Sequence, residues 1–283
     1  MPSSPEPLNF TFWGVGVTVE VPTALDGDHL RYYFDDHLDR AAVPASTGTP
    51  RAPGGGLRVV LSTSDRSGFV AALGDARVEK LISVDAGVGP VLYERFFAAA
   101  RRPTPLPPFS LAPLRSTFRL RHAAAACPPS ARADAGGSGG VVLVTGASGA
   151  GKSSLLLGLL QRGWGFVADD IAPVHRAGGR VVRYGRPIGI RSQTLAVHRA
   201  LGPAVERAGR PIRTASGTTW MTRPEDLGFS LGPVSAPISG EVRVVPADDF
   251  RSVARGRSLL LCYRPQCHLE RALDALEAWC PDS

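Results

Sequence analysis

The apolar positions of the first 115 residues alternate between strand-like runs and helical spacing, which predicts a small α/β domain. Five prolines between Pro103 and Pro113 cannot sustain regular structure, so we interpret this stretch as a linker. Nothing before it carries a catalytic signature, and we expect residues 1–115 to act as a scaffold or to grip a substrate. The predicted strands cover residues 9–21, 57–61 and 78–84, and the predicted helices cover residues 24–38 and 91–101.

The pattern after residue 115 predicts a second α/β domain over residues 116–283, in which short apolar runs alternate with helical stretches. The closing helix, residues 268–280, has Leu269, Leu273, Leu276 and Trp279 on one face. Residues 208–219 are rich in Arg, Gly and Thr, and we expect them to form a loop. The predicted strands cover residues 116–121, 141–145, 164–168, 241–245 and 258–262, with a hairpin at 174–183 and a helical segment at 195–201.

A glycine-rich segment joins the apolar strand 141–145 to the apolar helix that follows it. It reads Gly146-Ala147-Ser148-Gly149-Ala150-Gly151-Lys152-Ser153, the G-x-x-x-x-G-K-S spacing of a Walker A loop. Glycines allow successive backbone amides to turn toward an anion, and the start of the helix adds its positive dipole end. Lys152 supplies a charge for the phosphates and Ser153 a hydroxyl ligand for Mg²⁺. We therefore expect residues 146–154, Ser154 included, to bind a nucleoside triphosphate.

Two consecutive carboxylates, Asp169 and Asp170, follow the predicted strand 164–168, and Asp170 lies 17 residues after Ser153. Sites in open α/β sheets form at the carboxyl ends of strands, so both side chains should face the Walker loop. One carboxylate can hold Mg²⁺, and the other can accept a proton from an attacking hydroxyl group. This pair favours phosphoryl transfer to an alcohol.

The composition narrows the class of protein further. With 283 residues, 43% of them hydrophobic and 20% charged, the chain is typical of soluble globular proteins. The net charge of +7 comes from scattered arginines, because lysine occurs only at positions 80 and 152, and no dense basic tract indicates nucleic-acid binding. The four cysteines lack zinc-ligand spacing. The sequence has no signal peptide and no apolar run of membrane-spanning length, so we expect a cytoplasmic protein without a membrane partner.

The run GASGAGKSSLLLGLLQRGWGFVADDIAPV, residues 146–174, resembles the C-terminal domain of the HPr serine kinase/phosphorylase family. That family connects its Walker loop through a short helix ending in Arg-Gly to an apolar strand that closes on Ala-Asp-Asp. Arg162-Gly163 and Ala168-Asp169-Asp170 match in type and spacing. A histidine shortly before the Walker strand is also part of that family's site, and His122 occupies such a place.

The resemblance implies a P-loop kinase domain of the HPr-kinase type, with a central mixed sheet and flanking helices. It implies ATP and Mg²⁺ as cofactors and a protein or peptide bearing an acceptor serine as the partner. Lys152 and Ser153 would hold the triphosphate and the metal, with Asp169 as a further metal ligand. Asp170 would be the base toward the serine, and Asp169 and His122 would orient or polarise groups beside it.

The sequence departs from the bifunctional enzymes after the predicted hairpin. Those enzymes carry a Glu-Ile-Arg-Gly-type signature there, whereas residues 186–191 read Arg-Pro-Ile-Gly-Ile-Arg and contain no carboxylate. This is similar to the shorter HPr-kinase-like proteins, some from lasso-peptide gene clusters, which resemble serine kinases acting on a precursor peptide. Arg191 and Arg223 are candidate cations for phosphate or substrate. The resemblance leaves open whether the chain forms a homo-oligomer.

Two alternatives stay open at this point. The acceptor alcohol could belong to a small molecule, such as a free amino acid or another metabolite, in place of a peptide. The chain could also be a nucleotide-gated switch that binds a partner and transfers no phosphate. The second carboxylate beside the Walker loop favours transfer over a switch.

Overall fold

A computed structural model describes residues 6–12, 15–20, 28, 31–32, 57–64, 68–73, 76–82, 118–130, 140–214 and 217–280. The chain divides into two compact units, Met1–Ser116 and Thr117–Ser283. The predicted helix 91–101 and linker 103–113 lie outside the described residues, and so does the predicted helix 24–38 apart from three positions, which are helical.

The described part of the first unit is a five-stranded sheet in the order β1-β2-β3-β4-β5. Neighbouring strands are antiparallel except β2 and β3, which are parallel. The stretch predicted as one strand at residues 9–21 contains two antiparallel strands, β1 and β2, whereas the strands predicted at 57–61 and 78–84 are observed with shifted bounds. Strand β4 was not predicted. The five strands are β1 (Leu8–Phe12), β2 (Val15–Glu20), β3 (Leu57–Ser64), β4 (Gly68–Leu73) and β5 (Ala76–Ile82).

The second unit is built on a nine-stranded sheet. Seven strands follow the order β6-β10-β11-β15-β8-β7-β9, β17 pairs with β15, and β16 pairs with β17. Its strands are β6 (Phe118–Arg121), β7 (Ala123–Cys127), β8 (Val141–Gly146), β9 (Gly165–Ala168), β10 (Ala172–His175), β11 (Arg180–Val182), β15 (Ser235–Pro246), β16 (Arg251–Arg255) and β17 (Ser258–Tyr263).

This sheet is mixed because β15 pairs differently along its length. Its first residues pair antiparallel with β11. It pairs parallel with β8 from Ile238, with a register shift between Ile238 and Gly240, and parallel with β17 from Glu241. On the other side of β8, β7 is antiparallel to both β8 and β9. The carboxyl ends of β8, β15 and β17 therefore meet at one edge, where ligand sites form. The topology confirms the predicted α/β class with a central mixed sheet.

Four helices complete the described part of this unit: α1 (Lys152–Gln161), α2 (Ser192–Val197), α3 (Gly202–Ala208) and α4 (Pro265–Trp279). Helix α1 ends at Gly163, whose φ of 88° is a left-handed conformation that glycine adopts without strain. The amide of Trp164 donates to the Leu159 carbonyl and that of Gly163 to the Leu160 carbonyl, both at 3.0 Å, which is a Schellman motif. No helix in the described ranges is long and apolar enough to cross a membrane.

The core lies between the sheet and the helices α1 and α4. Alternate residues of the central strands, such as Val242 and Val244, are buried against leucines of α1 and α4. Each fully buried leucine contributes about 1.5–3 kcal/mol to folding. Arg162, in the last turn after α1, donates to three carboxylates of α4, at 2.6–2.8 Å: Glu270, Asp274 and Glu277. These contacts fix the end of the helix that carries the Walker lysine.

The prediction of a loop at residues 208–219 is wrong. Arg210–Thr214 (β13) and Gly217–Thr222 (β14) form a hairpin, and β14 also pairs with Ile188–Arg191 (β12) in a separate three-stranded sheet. Threonine and tryptophan favour strands, but without apolar alternation the local sequence does not indicate one. The pairing with β12, distant in the sequence, supplies the missing stabilisation.

Close packing of α1 on α4 yields a stability prediction at Gly158. A Cβ atom there would lie 2.8 Å from Cδ1 of Leu273, which is only 1% exposed and has no room to move. We expect Gly158→Val to lower the free energy of unfolding by about 2 kcal/mol, because overpacking exceeds the gain in helix propensity. Urea denaturation measures the change. Gly202→Ala, at a position with no atom near its Cβ, should be neutral or stabilising, and an equal loss in both variants contradicts the packing argument.

Candidate active site

The Walker segment adopts a backbone that requires glycine. Gly146, Gly149 and Gly151 have φ angles of 152°, 78° and 99°, all in the region that residues with a Cβ avoid. Space is also restricted, since a Cβ on Gly146 would lie 2.5 Å from the Val244 carbonyl oxygen and one on Gly151 2.7 Å from Cγ of Pro265. The loop thus passes tightly over the ends of β15 and β17 before α1 begins at Lys152.

Tyr263 supports this loop from the end of β17. Its hydroxyl group donates a hydrogen bond to the Gly151 carbonyl oxygen at 3.1 Å. Burial raises the pKa of Tyr263, so the hydroxyl stays protonated and remains a donor. Sequence reasoning missed this residue, because 112 positions separate it from Gly151 and no motif connects them.

Lys152 points back over the loop and toward His122. Its Nζ atom donates to the carbonyl oxygens of Gly146 and Ala147, at 3.0 and 2.9 Å, and lies 3.1 Å from Nε2 of His122. Burial lowers the pKa of Lys152, the charges of Asp170 and Asp169 oppose this, and Arg191 adds to the lowering. These contacts place the ammonium group between the loop and the residues before β7.

His122 links Lys152 to Asp170. Its Nδ1 atom lies 3.0 Å from Oδ1 of Asp170 and 3.1 Å from the backbone oxygen of the same residue. The tautomer of His122 protonated at Nδ1 satisfies both hydrogen bonds, because Nδ1–H then donates to Asp170 while Nε2 accepts from Lys152. The structure therefore brings together three residues predicted from separate segments of the sequence.

Asp170 is fixed at the backbone and at both carboxylate oxygens. Its φ of 65° makes it the single non-glycine residue with positive φ among the described positions, and its carbonyl accepts a bond from the Ala123 amide at 3.1 Å. Strained backbone of this kind persists where surrounding contacts hold it, often at functional sites. Oδ1 contacts His122, and Oδ2 accepts from Arg186 at 3.4 Å. The side chain is 40% exposed, so a substrate group can reach it.

Asp169 has a different environment. It is 5% exposed, and its Oδ1 atom accepts a hydrogen bond from the Ser153 hydroxyl at 3.1 Å. Burial raises the pKa of Asp169 and Asp170 raises it further, while Arg186, Ser153 and the Gly189 amide oppose the shift. Two adjacent carboxylates in such unlike surroundings are suited to two different tasks.

The pairing of Ser153 with Asp169 fits a Mg²⁺ ion. A hydroxyl and a buried carboxylate are hard oxygen donors, and a divalent cation would favour the charged form that burial disfavours. Within the described ranges no group of three or more His, Cys, Asp or Glu side chains is arranged to hold a metal. Proteins usually bind Mg²⁺ through one or two carboxylates together with phosphate oxygens and water.

Three arginines, Arg186, Arg191 and Arg223, occupy different places relative to this site. Arg186, 8% exposed, reaches Asp170 from the loop before β12, a role that the sequence did not indicate. Arg191, at the exposed end of β12, is close enough to influence Lys152 electrostatically. Arg223 pairs with Glu225 at 3.7 Å, a contact that does not involve the Walker loop. Arg191 therefore acts on the Walker lysine through its charge.

Ser154 is the last residue predicted to bind nucleotide. It is 7% exposed, and its backbone oxygen contacts Nε2 of His198 at 2.9 Å. Ser148 and Gly149 in the loop are exposed, as is Ala147. The loop itself is thus accessible to a phosphate chain, while the helix beyond Ser153 turns into the core.

Comparison with known proteins gives partial matches. No family model matches the chain. An HPr kinase/phosphorylase from Pelodictyon phaeoclathratiforme is 42% identical over 72 residues, which are 25% of this chain and 22% of the relative. A second, from Nitrosomonas europaea, is 57% identical over 37 residues, or 13% of this chain and 12% of the relative. A third, from Chlorobium limicola, is 40% identical over 72 residues, again 25% and 22%.

The matched segments span about a fifth or less of the length of these curated relatives. Among solved structures, the Hpr(Ser) kinase/phosphatase from Coxiella burnetii has a TM-score of 0.32 and 18% identity, covering 56% of this chain and 88% of that chain. All three curated relatives bear the same name, which is the family that residues 146–174 resemble. The chain is therefore related to the HPr kinase/phosphorylases over about a quarter of its length.

Proposed function

We propose that this chain is an ATP- and Mg²⁺-dependent kinase that phosphorylates a serine hydroxyl of a protein or precursor peptide in the cytoplasm. The contact chain from Lys152 through His122 to Asp170 carries the proposal. It connects a phosphate-binding lysine to a half-exposed carboxylate, which is the combination that transfer to an alcohol requires. All these residues lie in Thr117–Ser283, which we propose to be the kinase domain, with the first unit as a scaffold or substrate grip.

Each residue of the site has a separate task in this proposal. Bound MgATP would supply the γ-phosphoryl group, and its Mg²⁺ ion would neutralise charge on the phosphate oxygens. Asp170 would accept the proton of the attacking serine hydroxyl as the serine oxygen bonds to the γ-phosphorus, while the bond from that phosphorus to ADP breaks and ADP leaves. His122 and Arg186 hold the two oxygens of that carboxylate in place. Asp169, buried behind Ser153, cannot reach an acceptor and would bind the metal with that hydroxyl.

The proposed metal contact predicts a defect that depends on magnesium. Ser153→Ala removes one oxygen ligand and leaves the amides of the loop intact. We expect the affinity for ATP to fall about tenfold when Mg²⁺ is present and to change little in excess EDTA. Calorimetric titration with a non-hydrolysable ATP analogue measures both values. Ser258→Ala, at an exposed serine at the start of β17, is the control, and an equal loss with and without Mg²⁺ contradicts the assignment.

The function itself is tested by incubating the purified protein with MgATP and candidate acceptors. These are the peptides encoded beside its gene and free serine, and mass spectrometry detects the gain of one phosphate group. A phosphorylated peptide establishes the proposed kinase. Phosphate on free serine alone establishes the small-molecule kinase in its place. Consumption of ATP with no labelled acceptor, at the same rate with and without peptide, contradicts both and supports the switch.

A further inference from the structure

The strand β16 lies at an open edge of the nine-stranded sheet. It pairs with β17 and, among the described strands, with no other. All five of its residues are exposed. An exposed edge presents unpaired backbone amides and carbonyls, to which an extended peptide can add as a further strand.

One face of this edge combines charge with an apolar residue. Side chains alternate along a strand, so Arg251, Val253 and Arg255 point to the same side. Val253 lies opposite Leu260 of β17 and is 48% exposed, one of two large hydrophobic residues so exposed in the described ranges. The opposite side of β17 is different, because Leu259 and Leu261 are 2% and 0% exposed against the helices. On β17, the side that faces Arg251, Val253 and Arg255 is therefore the less buried one.

The arginines of this edge have no acidic partner among the described residues. Arg251 and Arg255 form no ion pair with a described residue, and the same is true of Arg257 in the following turn and of the exposed Arg243 on β15. Elsewhere in the unit, arginines do pair with carboxylates: Arg121 with Glu241, Arg162 with three acids of α4, Arg186 with Asp170, and Arg264 with Asp248. The unpaired charge on the β16 edge is complementary to an acidic ligand.

We propose that the β16 edge binds an extended acidic segment of the phosphate acceptor, which adds to the sheet as a strand beside β16. Cross-strand neighbours then set its sequence, with acidic residues opposite Arg251 and Arg255 and an apolar residue opposite Val253. The segment has the pattern acid-x-apolar-x-acid. The identification of the ligand as the acceptor rests on the proposed kinase function, whereas the docking itself does not.

The strand order also sets how far the acceptor serine lies from that segment. From the docked segment to β9, after which Asp170 follows, the order is segment-β16-β17-β15-β8-β7-β9, which is six strand spacings. At about 4.8 Å each, this is about 29 Å. An extended chain needs about nine residues to cover that distance. Serines much closer to the acidic segment cannot reach Asp170 while the segment is docked.

Binding is tested with the full chain and a fluorescent peptide that contains Glu-Thr-Val-Thr-Glu and no serine. We expect saturable binding in fluorescence anisotropy, weakened at least tenfold by Arg251→Glu with Arg255→Glu. Arg119→Glu, at an exposed strand arginine on β6, is the matched control and should leave the affinity unchanged. A peptide with lysine in place of both glutamates should not bind. Equal affinity for both peptides, or no effect of the double variant, overturns the proposal and leaves the arginines as guards against self-pairing.

Two further measurements separate strand addition from simple charge attraction and docking from catalysis. N-methylation of alternate peptide amides keeps the charge but removes ladder hydrogen bonds, so one of the two methylation registers should abolish binding. If both methylated peptides bind like the parent, or if a short oligonucleotide binds the edge more tightly, strand addition of an acidic segment is wrong.

A phosphorylation series then places a serine two or ten residues from the acidic segment. For the peptide with the longer spacing, we expect the parent to have a KM at least fivefold lower than the double variant, with the same kcat. If the parent and the double variant have the same KM, the ligand of the β16 edge is not the phosphate acceptor. Peptide binding that requires both the glutamates and the arginines, without phosphorylation of any peptide, contradicts the kinase function but supports the docking site.

Discussion

Asp170→Asn is expected to lower the rate of phosphoryl transfer about 10²–10⁴-fold while ATP binding is retained. The amide keeps the size of the side chain and its place between His122 and Arg186, but it cannot accept the proton of the attacking hydroxyl. The loss should therefore fall on kcat, with little change in the dissociation constant for the nucleotide. Single-turnover phosphorylation and calorimetric ATP binding measure the two quantities separately.

The control for this variant is Asp249→Asn, which changes an exposed carboxylate in the loop between β15 and β16. It should transfer phosphate at the parent rate. Transfer by Asp170→Asn at the parent rate, with ATP still bound, rules out Asp170 as the base. Loss of ATP binding together with transfer indicates that Asp170 maintains the loop through His122 and Lys152.

Lys152→Ala is the second variant with a large expected effect. Its Nζ atom is the cationic group in contact with two carbonyls of the Walker loop, and it is the group that the proposal places against the β- and γ-phosphates. Removing one such stabilising group costs about 10²–10³-fold in turnover, and ATP affinity should fall as well. Loss in both kcat and affinity distinguishes this variant from Asp170→Asn.

The sequence offers one matched control, Lys80→Ala, because lysine occurs at only these two positions. It should retain full activity. The melting temperature of both variants must be measured as well, because Lys152 is 7% exposed and its removal can destabilise the loop. Full transfer by a folded Lys152→Ala protein contradicts the proposed contact with the phosphates.

The local features of this chain were accessible to sequence reasoning because they depend on neighbouring residues. The glycines at positive φ, the helix that starts at Lys152 and the Schellman end at Gly163 each follow from a few consecutive positions. The placement of Asp169 and Asp170 after β9 was predictable for the same reason. Polar residues directly after a short buried strand lie at the carboxyl end of that strand, whatever the order of strands in the sheet.

His122 represents an intermediate case. Its spacing to the Walker strand suggested that it belongs to the site, by resemblance alone. The bridge it makes depends on β7 lying between β8 and β9, which brings the start of β7 beside both Lys152 and Asp170. The order of strands in a sheet is a property of the whole chain.

The sequence by itself predicted two α/β units and determined the Walker spacing and the pair of carboxylates that follow it. Only the tertiary structure decided that Arg186 and Tyr263 reach the site, that residues 210–222 form a hairpin, and that β16 is an edge strand among the described strands. Short-range patterns depend on backbone dihedral angles and on the spacing of apolar residues, which the local sequence specifies. Contacts between distant segments depend on which strands pair, and pairing is selected by the packing of the entire domain.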